Sequence, residues 1–159
     1  MALADGNGWV FCRCGQRHWG RHGAAGLLLL RRPTAHAQVL LQLRAGWTHQ
    51  GGRWSVPGGA RDSHEDVVAA ALREAGEEVG VGPDDVSVVG CAVGTDHVDW
   101  RYTYVIGWAG GSVTVRVCNR ESDEIRWVGL DQVGELPLHP ALAASWPTLR
   151  VRLASVDAA

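Results

Sequence analysis

The order of elements along the chain predicts an α/β sandwich, a sheet covered by helices, and three observations carry that prediction. Short apolar runs bounded by turn residues recur on both sides of one long amphipathic stretch. That stretch, from Ser63 to about Val79, places Val67, Val68, Ala71, Leu72, Ala75 and Val79 at helical spacing. A second helix start stands at Pro140, where proline suits the first turn. Strands, a helix, more strands and a closing helix pack most simply as layers around one core.

Residues 1 to 8 have no apolar periodicity and are expected to fray. Leu27–Leu30 and Val39–Leu43 read as two strands, joined by the turn-like Arg31-Arg32-Pro33-Thr34. Ala45–Pro57 is rich in Gly and Trp and reads as a loop. Ser63 is the expected cap of the first helix. Gly76 inside that helix costs about 1 kcal/mol against Ala. Val86–Val93, Arg101–Trp108, Val113–Val117 and Glu124–Val128 read as further strands. The organisation expected is an N-terminal extension over residues 1–23, packed on or near the domain, the domain proper over 24–150, and a C-terminal tail over 151–159.

A length of 159 residues suits one domain. With 46% hydrophobic and 20% charged residues the balance is globular. A net charge of −2 offers no global field for a nucleic acid polymer or an anionic membrane. The longest apolar run, Gly26–Leu30, is too short to span a bilayer, and no signal peptide is evident, so a cytoplasmic protein with reduced thiols is expected. All 15 basic residues are Arg, so phosphate contacts fall to Arg, His or backbone amides.

The chemistry concentrates in Arg73-Glu74-Ala75-Gly76-Glu77-Glu78. Glu74, Glu77 and Glu78 stand at i, i+3 and i+4, on one face of a helix. Three carboxylates there repel unless a cation joins them, and a hard divalent ion, Mg²⁺ or Mn²⁺, suits such oxygens. The wider window resembles the signature of the Nudix hydrolases, G-x5-E-x7-R-E-U-x-E-E-x-G-U with U bulky and apolar. Gly59, Glu65, Arg73, Glu74, Glu77, Glu78, Gly80 and Val81 fall in register, and Ala75 at a U position is smaller than usual. So many fixed positions make the motif specific. The resemblance covers roughly Ala24 to Arg150 and implies the Nudix fold, a central mixed sheet between helices with a catalytic loop-helix-loop. It points to the MutT-like branch.

The same resemblance implies that Glu74, Glu77 and Glu78 are catalytic metal ligands, with the Gly58 carbonyl beside them. It implies that Glu65 and Arg73 form an ion pair tying the loop to the helix, with Gly59 also structural. Glu121 lies six residues before Trp127, where MutT-like enzymes carry a catalytic or metal-binding glutamate; Glu124 is its rival. Arg44, fifteen residues before Gly59, matches an Arg that contacts the nucleotide. Trp47, His49, Trp100 and Arg101 are candidates for base recognition, since aromatic faces stack on bases. Of eight tryptophans, Trp54, Trp108 and Trp127 are expected in the core.

The implied activity is metal-dependent hydrolysis of a nucleoside triphosphate, with oxidised dGTP one candidate, to monophosphate and pyrophosphate. Where MutT-like enzymes place a base-reading Asn, this chain has none, and Asp131 and His139 are the nearest polar candidates, which leaves oxidised guanine open. The alternatives are a nucleotide sugar, dinucleotide or coenzyme diphosphate as substrate, or a silent nucleotide-sensing domain. The Pro or Tyr marker of some diphosphate-linked subfamilies is absent, since Asp96, His97 and Val98 occupy that place. A homodimer is the commonest assembly. Cys12-Arg-Cys14-Gly15, followed by His18 and His22, holds zinc-type donors, although CxC spacing is tight and no second Cys pair follows.

Overall fold

A computed structural model describes residues 4–159. The chain forms β1 (Trp9–Phe11), β2 (Arg17–Trp19), β3 (Ala24–Arg31), β4 (Gln38–Arg44), β5 (Trp54–Ser55), β6 (Gly58–Ala60), α1 (Val67–Val79), β7 (Val86–Asp96), β8 (Arg101–Ala109), β9 (Ser122–Gly129) and α2 (Pro140–Ala158). β1 and β2 make a separate antiparallel hairpin. The remaining strands form one sheet in the order β5-β4-β3-β8-β7, with β6 added to β3 and β9 to β4. The β3–β8 pair is parallel and its neighbours are antiparallel, so the sheet is mixed.

β3 explains the layering. Its residues are buried from Ala24 to Leu30, because both sheet faces are covered. Leu28 and Leu30 face the side where α2 contributes Leu142, Trp146, Leu149 and Leu153. Ala25, Leu27 and Leu29 face the other side, against Ala70, Ala71, Ala75 and Val79 of α1. The result is the expected α/β/α sandwich. Among the described residues no helix is long and apolar enough to cross a membrane.

Five sequence expectations need correction. The cap of α1 is Asp66, whose carboxylate accepts from the Ala69 amide at 2.7 Å. Ser63 instead donates its amide and hydroxyl to Asp5. That contact, with the Gly6 amide bound to Asp62 at 2.8 Å, fixes residues expected to fray; residues 1–3 lie outside the described part. Residues 113–117 are not a strand. Their neighbourhood serves the end of α1, with the Arg116 amide on the Val79 carbonyl and the Cys118 amide on the Glu78 carbonyl, so the donors a strand would use are taken. The expected tail is helical instead. α2 runs through residue 158 and Leu153 is fully buried in the core. Among the tryptophans Trp54 is buried, but Trp108 and Trp127 are half-buried beneath Arg32 and Arg31 guanidiniums at 4.9 and 4.4 Å.

Candidate functional site

α1 builds the site because its apolar stripe fixes its rotation against the sheet, leaving the glutamates to emerge over β6 and the end of β4. Gly80 ends the helix at φ 76°, and its amide bonds the Ala75 and Gly76 carbonyls, as a left-handed glycine cap should.

Glu78 is buried, and its Oε2 accepts from the Gly58 amide at 2.9 Å and from the Gln42 side-chain amide at 3.1 Å. Neither donor carries charge. Burial, then the neighbouring Glu74, pushes its carboxyl up to about 8, and the Gly58 and Gln42 hydrogen bonds do not offset that. Burial also raises the Glu74 carboxyl, with Glu77 and Glu121 adding to the rise against the pull of Arg73. Glu77 is exposed, 3.4 Å from Arg73. Two adjacent glycines make room: a Cβ on Gly59 would sit 2.6 Å from the Glu74 carboxyl, and one on Gly58 would sit 2.5 Å from the Ala25 carbonyl oxygen and 2.7 Å from the Tyr102 hydroxyl.

Arg73 closes the other end of the motif. Its Nε and Nη2 hold the two Glu65 oxygens at 2.8 and 2.9 Å, while Nη2 also donates to the Ala60 carbonyl and Nη1 to Glu74, each at 2.9 Å. Burial works to raise the Glu65 carboxyl, but the Arg73 guanidinium and the Asp62 amide outweigh it and hold it below its ordinary value. The hydrogen bonds to Glu65 in turn raise Arg73.

The Ala45 amide bonds the Glu121 carbonyl at 2.8 Å, which sets residue 121 beside the end of β4. The Glu121 charge bears on both Glu74 and Glu78. Its rival Glu124 pairs with Arg126 at 2.9 Å on the exposed side of β9. Arg44 donates to the His49 carbonyl at 2.9 Å, and both residues bear electrostatically on His139. Burial, then Arg44 and His49, lowers the His139 imidazole to about 4. Its neutral Nδ1 accepts from the Ala141 amide at the start of α2. Arg44, His49 and His139 therefore converge at one edge of the site.

Trp100 and Arg101 do not join them. They line a separate cavity of about 720 Å³ with Arg21, Arg61, Asp96 and Thr103, and no glutamate of the cluster borders it. The Trp100 indole donates to the Trp19 carbonyl at 3.1 Å and stacks on His18, and Arg101 pairs with Asp96 at 3.0 Å. These contacts tie the β7–β8 turn to the N-terminal hairpin, which a linear reading of the chain does not reveal. Trp47 is 72% exposed on the loop after β4 and stacks on no aromatic ring among the described residues.

Two contributors escaped the sequence reading. Gln42 was visible as a polar residue inside an apolar strand, Gln38-Val-Leu-Leu-Gln-Leu-Arg44, and a buried amide needs partners. It binds Glu78, while its Oε1 is buried without a hydrogen bond. Tyr102 sets its hydroxyl against Gly26 and Gly58, and burial raises its phenol well above the usual value. Its signal is the pair of glycines facing it, recognisable only once β3, β6 and β8 are in register.

The donor set fits a hard divalent cation. The Glu74 and Glu121 charges bear on Glu78, Glu78 is buried with only neutral donors, and all three are oxygen ligands. Residues 20–149 match the family model described as NUDIX domain. A Mycobacterium tuberculosis protein named "Putative 8-oxo-dGTP diphosphatase 3" is 49% identical over 161 residues, covering 98% of this chain and 74% of that protein. A Bifidobacterium longum "Nucleoside triphosphate pyrophosphatase/Nudix hydrolase fusion protein" is 41% identical over 93% of this chain and 32% of its own length. Among solved structures, the M. smegmatis Nudix hydrolase RenU superposes with a TM-score of 0.88 at 48% identity, covering 95% of this chain and 97% of that one. A C. elegans Ap4A hydrolase shares the fold at a TM-score of 0.68 and 19% identity, over 83% of this chain and 98% of that one. The chain belongs to the Nudix hydrolase family.

Proposed function

We propose that this Nudix hydrolase cleaves a nucleoside triphosphate to the monophosphate and pyrophosphate, with oxidised dGTP the leading candidate. The observation that carries the reading is the carboxylate cluster of Glu74, Glu77 and Glu78, faced by Glu121 and edged by Arg44. The name borne by the mycobacterial relative supports the oxidised purine.

Glu74, Glu78 and Glu121 would hold Mg²⁺ or Mn²⁺, with Glu77 at the rim. A bound divalent ion neutralises phosphate oxygens and lowers the pKa of water. The protein supplies the rest. The Gly58 amide and Gln42 fix the Glu78 carboxylate, and Arg73 fixes the Glu74 side chain. Arg44 offers a guanidinium to the phosphates. A water oxygen bonds to phosphorus, the P–O bond to pyrophosphate breaks, and the proton lost by water passes to a glutamate of the cluster. His49 and His139 stand beside Arg44 as polar groups for the nucleoside end. Trp100 and Arg101, in their separate cavity, have no part in this assignment.

The test is a panel of oxidised dGTP, ordinary triphosphates, ADP-ribose and a nucleotide sugar with Mg²⁺, wild type beside Glu78→Gln. Pyrophosphate release from a triphosphate, lost in the variant, is the expected result. Turnover confined to diphosphate-linked compounds would replace this substrate class, and silence on every compound would overturn the hydrolytic reading.

A further inference from the structure

The N-terminal hairpin carries a cluster of soft donors that hydrolysis does not use. Cys12 follows β1, Cys14 lies in the turn and His18 is on β2. The turn is closed by the Cys12 amide on the Gln16 carbonyl and the Gly15 amide on the Cys12 carbonyl, both 3.0 Å. Gly15 takes φ 90°, a conformation that suits glycine. Both thiols therefore leave one tight loop toward the same ring.

Cys14 Sγ is 3.3 Å from His18 Nε2, and the donor atoms of Cys12, Cys14 and His18 all lie within 4.8 Å of one another. A tetrahedral zinc ion, with Zn–S about 2.3 Å and Zn–N about 2.05 Å, sets S···S near ~3.8 Å and S···N near ~3.6 Å. Those spans fit the cluster. Cys12 is buried, and its sulfur accepts amides from Cys14 and Asp99, each at 3.4 Å. Donors aimed at a sulfur favour the thiolate, the form that binds metal. The His18 ring is oriented by stacking on His97 at 4.3 Å and Trp100 at 4.7 Å. His22, placed with this set by sequence, lies instead 3.7 Å from Asp5. Asp99 is taken by Arg13, whose Nη2 donates to Oδ1 at 2.7 Å and whose backbone amide donates to Oδ2 at 2.8 Å.

We propose that Cys12, Cys14 and His18 bind a zinc-class ion, leaving its fourth position to solvent, and that this ion fastens the hairpin to the β7–β8 turn. The site is independent of the glutamate cluster, since thiolate and imidazole suit a softer ion than carboxylates do.

The test uses the reduced full chain carrying Cys91→Ser and Cys118→Ser, both exposed positions, with excess Mg²⁺ filling the hard site. Cobalt(II), a spectroscopic stand-in for zinc, is titrated in. The expected result is a one-to-one thiolate-to-cobalt charge-transfer absorption that Zn²⁺ displaces. Cys14→Ser and His18→Gln, both near the surface, should weaken cobalt binding by at least ~100-fold, beyond the loss from an outer partner. Unchanged far-ultraviolet circular dichroism separates ligand loss from misfolding, and Glu78→Gln should leave the band intact. A missing band, a band that survives both hairpin variants, or a Cys12–Cys14 disulfide formed in the presence of Zn²⁺ would overturn the proposal.

Discussion

Two carboxylates anchored to the same helix, Glu65 and Glu78, are both buried, yet they have opposite electrostatics. Glu65 faces a guanidinium that grips both its oxygens, and its carboxyl titrates below the ordinary value. Glu78 faces only an amide and a glutamine, with other glutamates nearby, and its carboxyl rises to about 8. Burial alone raises both; the difference is the partner. The Glu65 end is a closed ion pair that holds the loop to the helix. The Glu78 end has only neutral donors, and in the proposed function a divalent cation would supply its opposite charge.

Glu78→Gln should have the largest effect at this end of the helix. It keeps the acceptor for the Gly58 amide but removes the charge that would hold the ion. Activity should fall about 10³-fold or more, as loss of several kcal/mol of charge stabilisation demands, read as kcat under saturating Mg²⁺. In metal-free buffer at pH 8 to 9 the same variant should melt no lower than wild type.

Arg73→Met strips the partner from Glu65 and leaves that carboxylate buried and unpaired. Stability should drop by about 3 to 5 kcal/mol in urea denaturation. A loss under 1 kcal/mol would mean that the pair is ornamental and that the contrast between the two ends is not electrostatic.

In chelator, pH separates the two ends. The folded chain keeps a proton on Glu78 that the unfolded chain has released, so the unfolded state binds fewer protons above about pH 4.5. Metal-free stability from this group should therefore be greatest below that value and decline up to about pH 8, by at most about 5 kcal/mol. Glu65 acts in the reverse sense, adding stability above its unfolded value and losing it as acid protonates the folded carboxyl. Mg²⁺ should restore stability at pH 8 and do little at pH 5; thermal melts with and without Mg²⁺ measure both.

Gly59→Ala sharpens the same point by geometry. The added methyl meets the Glu74 carboxyl at 2.6 Å and must displace it. A misplacement of this kind costs up to about 100-fold in rate, with little change in melting temperature. The smallest effect belongs to Gly76→Ala, in the x position of the motif. Gly76 is exposed, and its added methyl finds only the Val81 carbonyl at 3.4 Å, so the variant should gain about 0.5 to 1 kcal/mol in urea denaturation with activity retained.

The layers and the motif follow from local residue patterns alone. Helical spacing from Val67 to Val79 and apolar strands on either side dictate a helix packed on a sheet, since burial of those stripes is the dominant favourable term. The i, i+3, i+4 spacing of Glu74, Glu77 and Glu78 places them on one face in any helix. The placement of residue 121 at the end of β4, from where its charge bears on Glu74 and Glu78, was decided by pairing. β9 runs antiparallel to β4 with an irregularity at Leu43/Arg44, which puts Ser122 opposite Arg44 and residue 121 at its end. Residues 113–117 show the same limit, because apolar alternation cannot reveal that the Arg116 amide, like that of Cys118, serves the end of α1. Trp100 and Arg101 went to a different cavity because the hairpin of residues 9–19 packs on their turn, a contact 81 residues apart for Trp19 and Trp100. Local periodicity fixes which face a side chain occupies. Only the packing of distant strands fixes what that face meets, and with it the partners of Gln42, Tyr102 and Glu78.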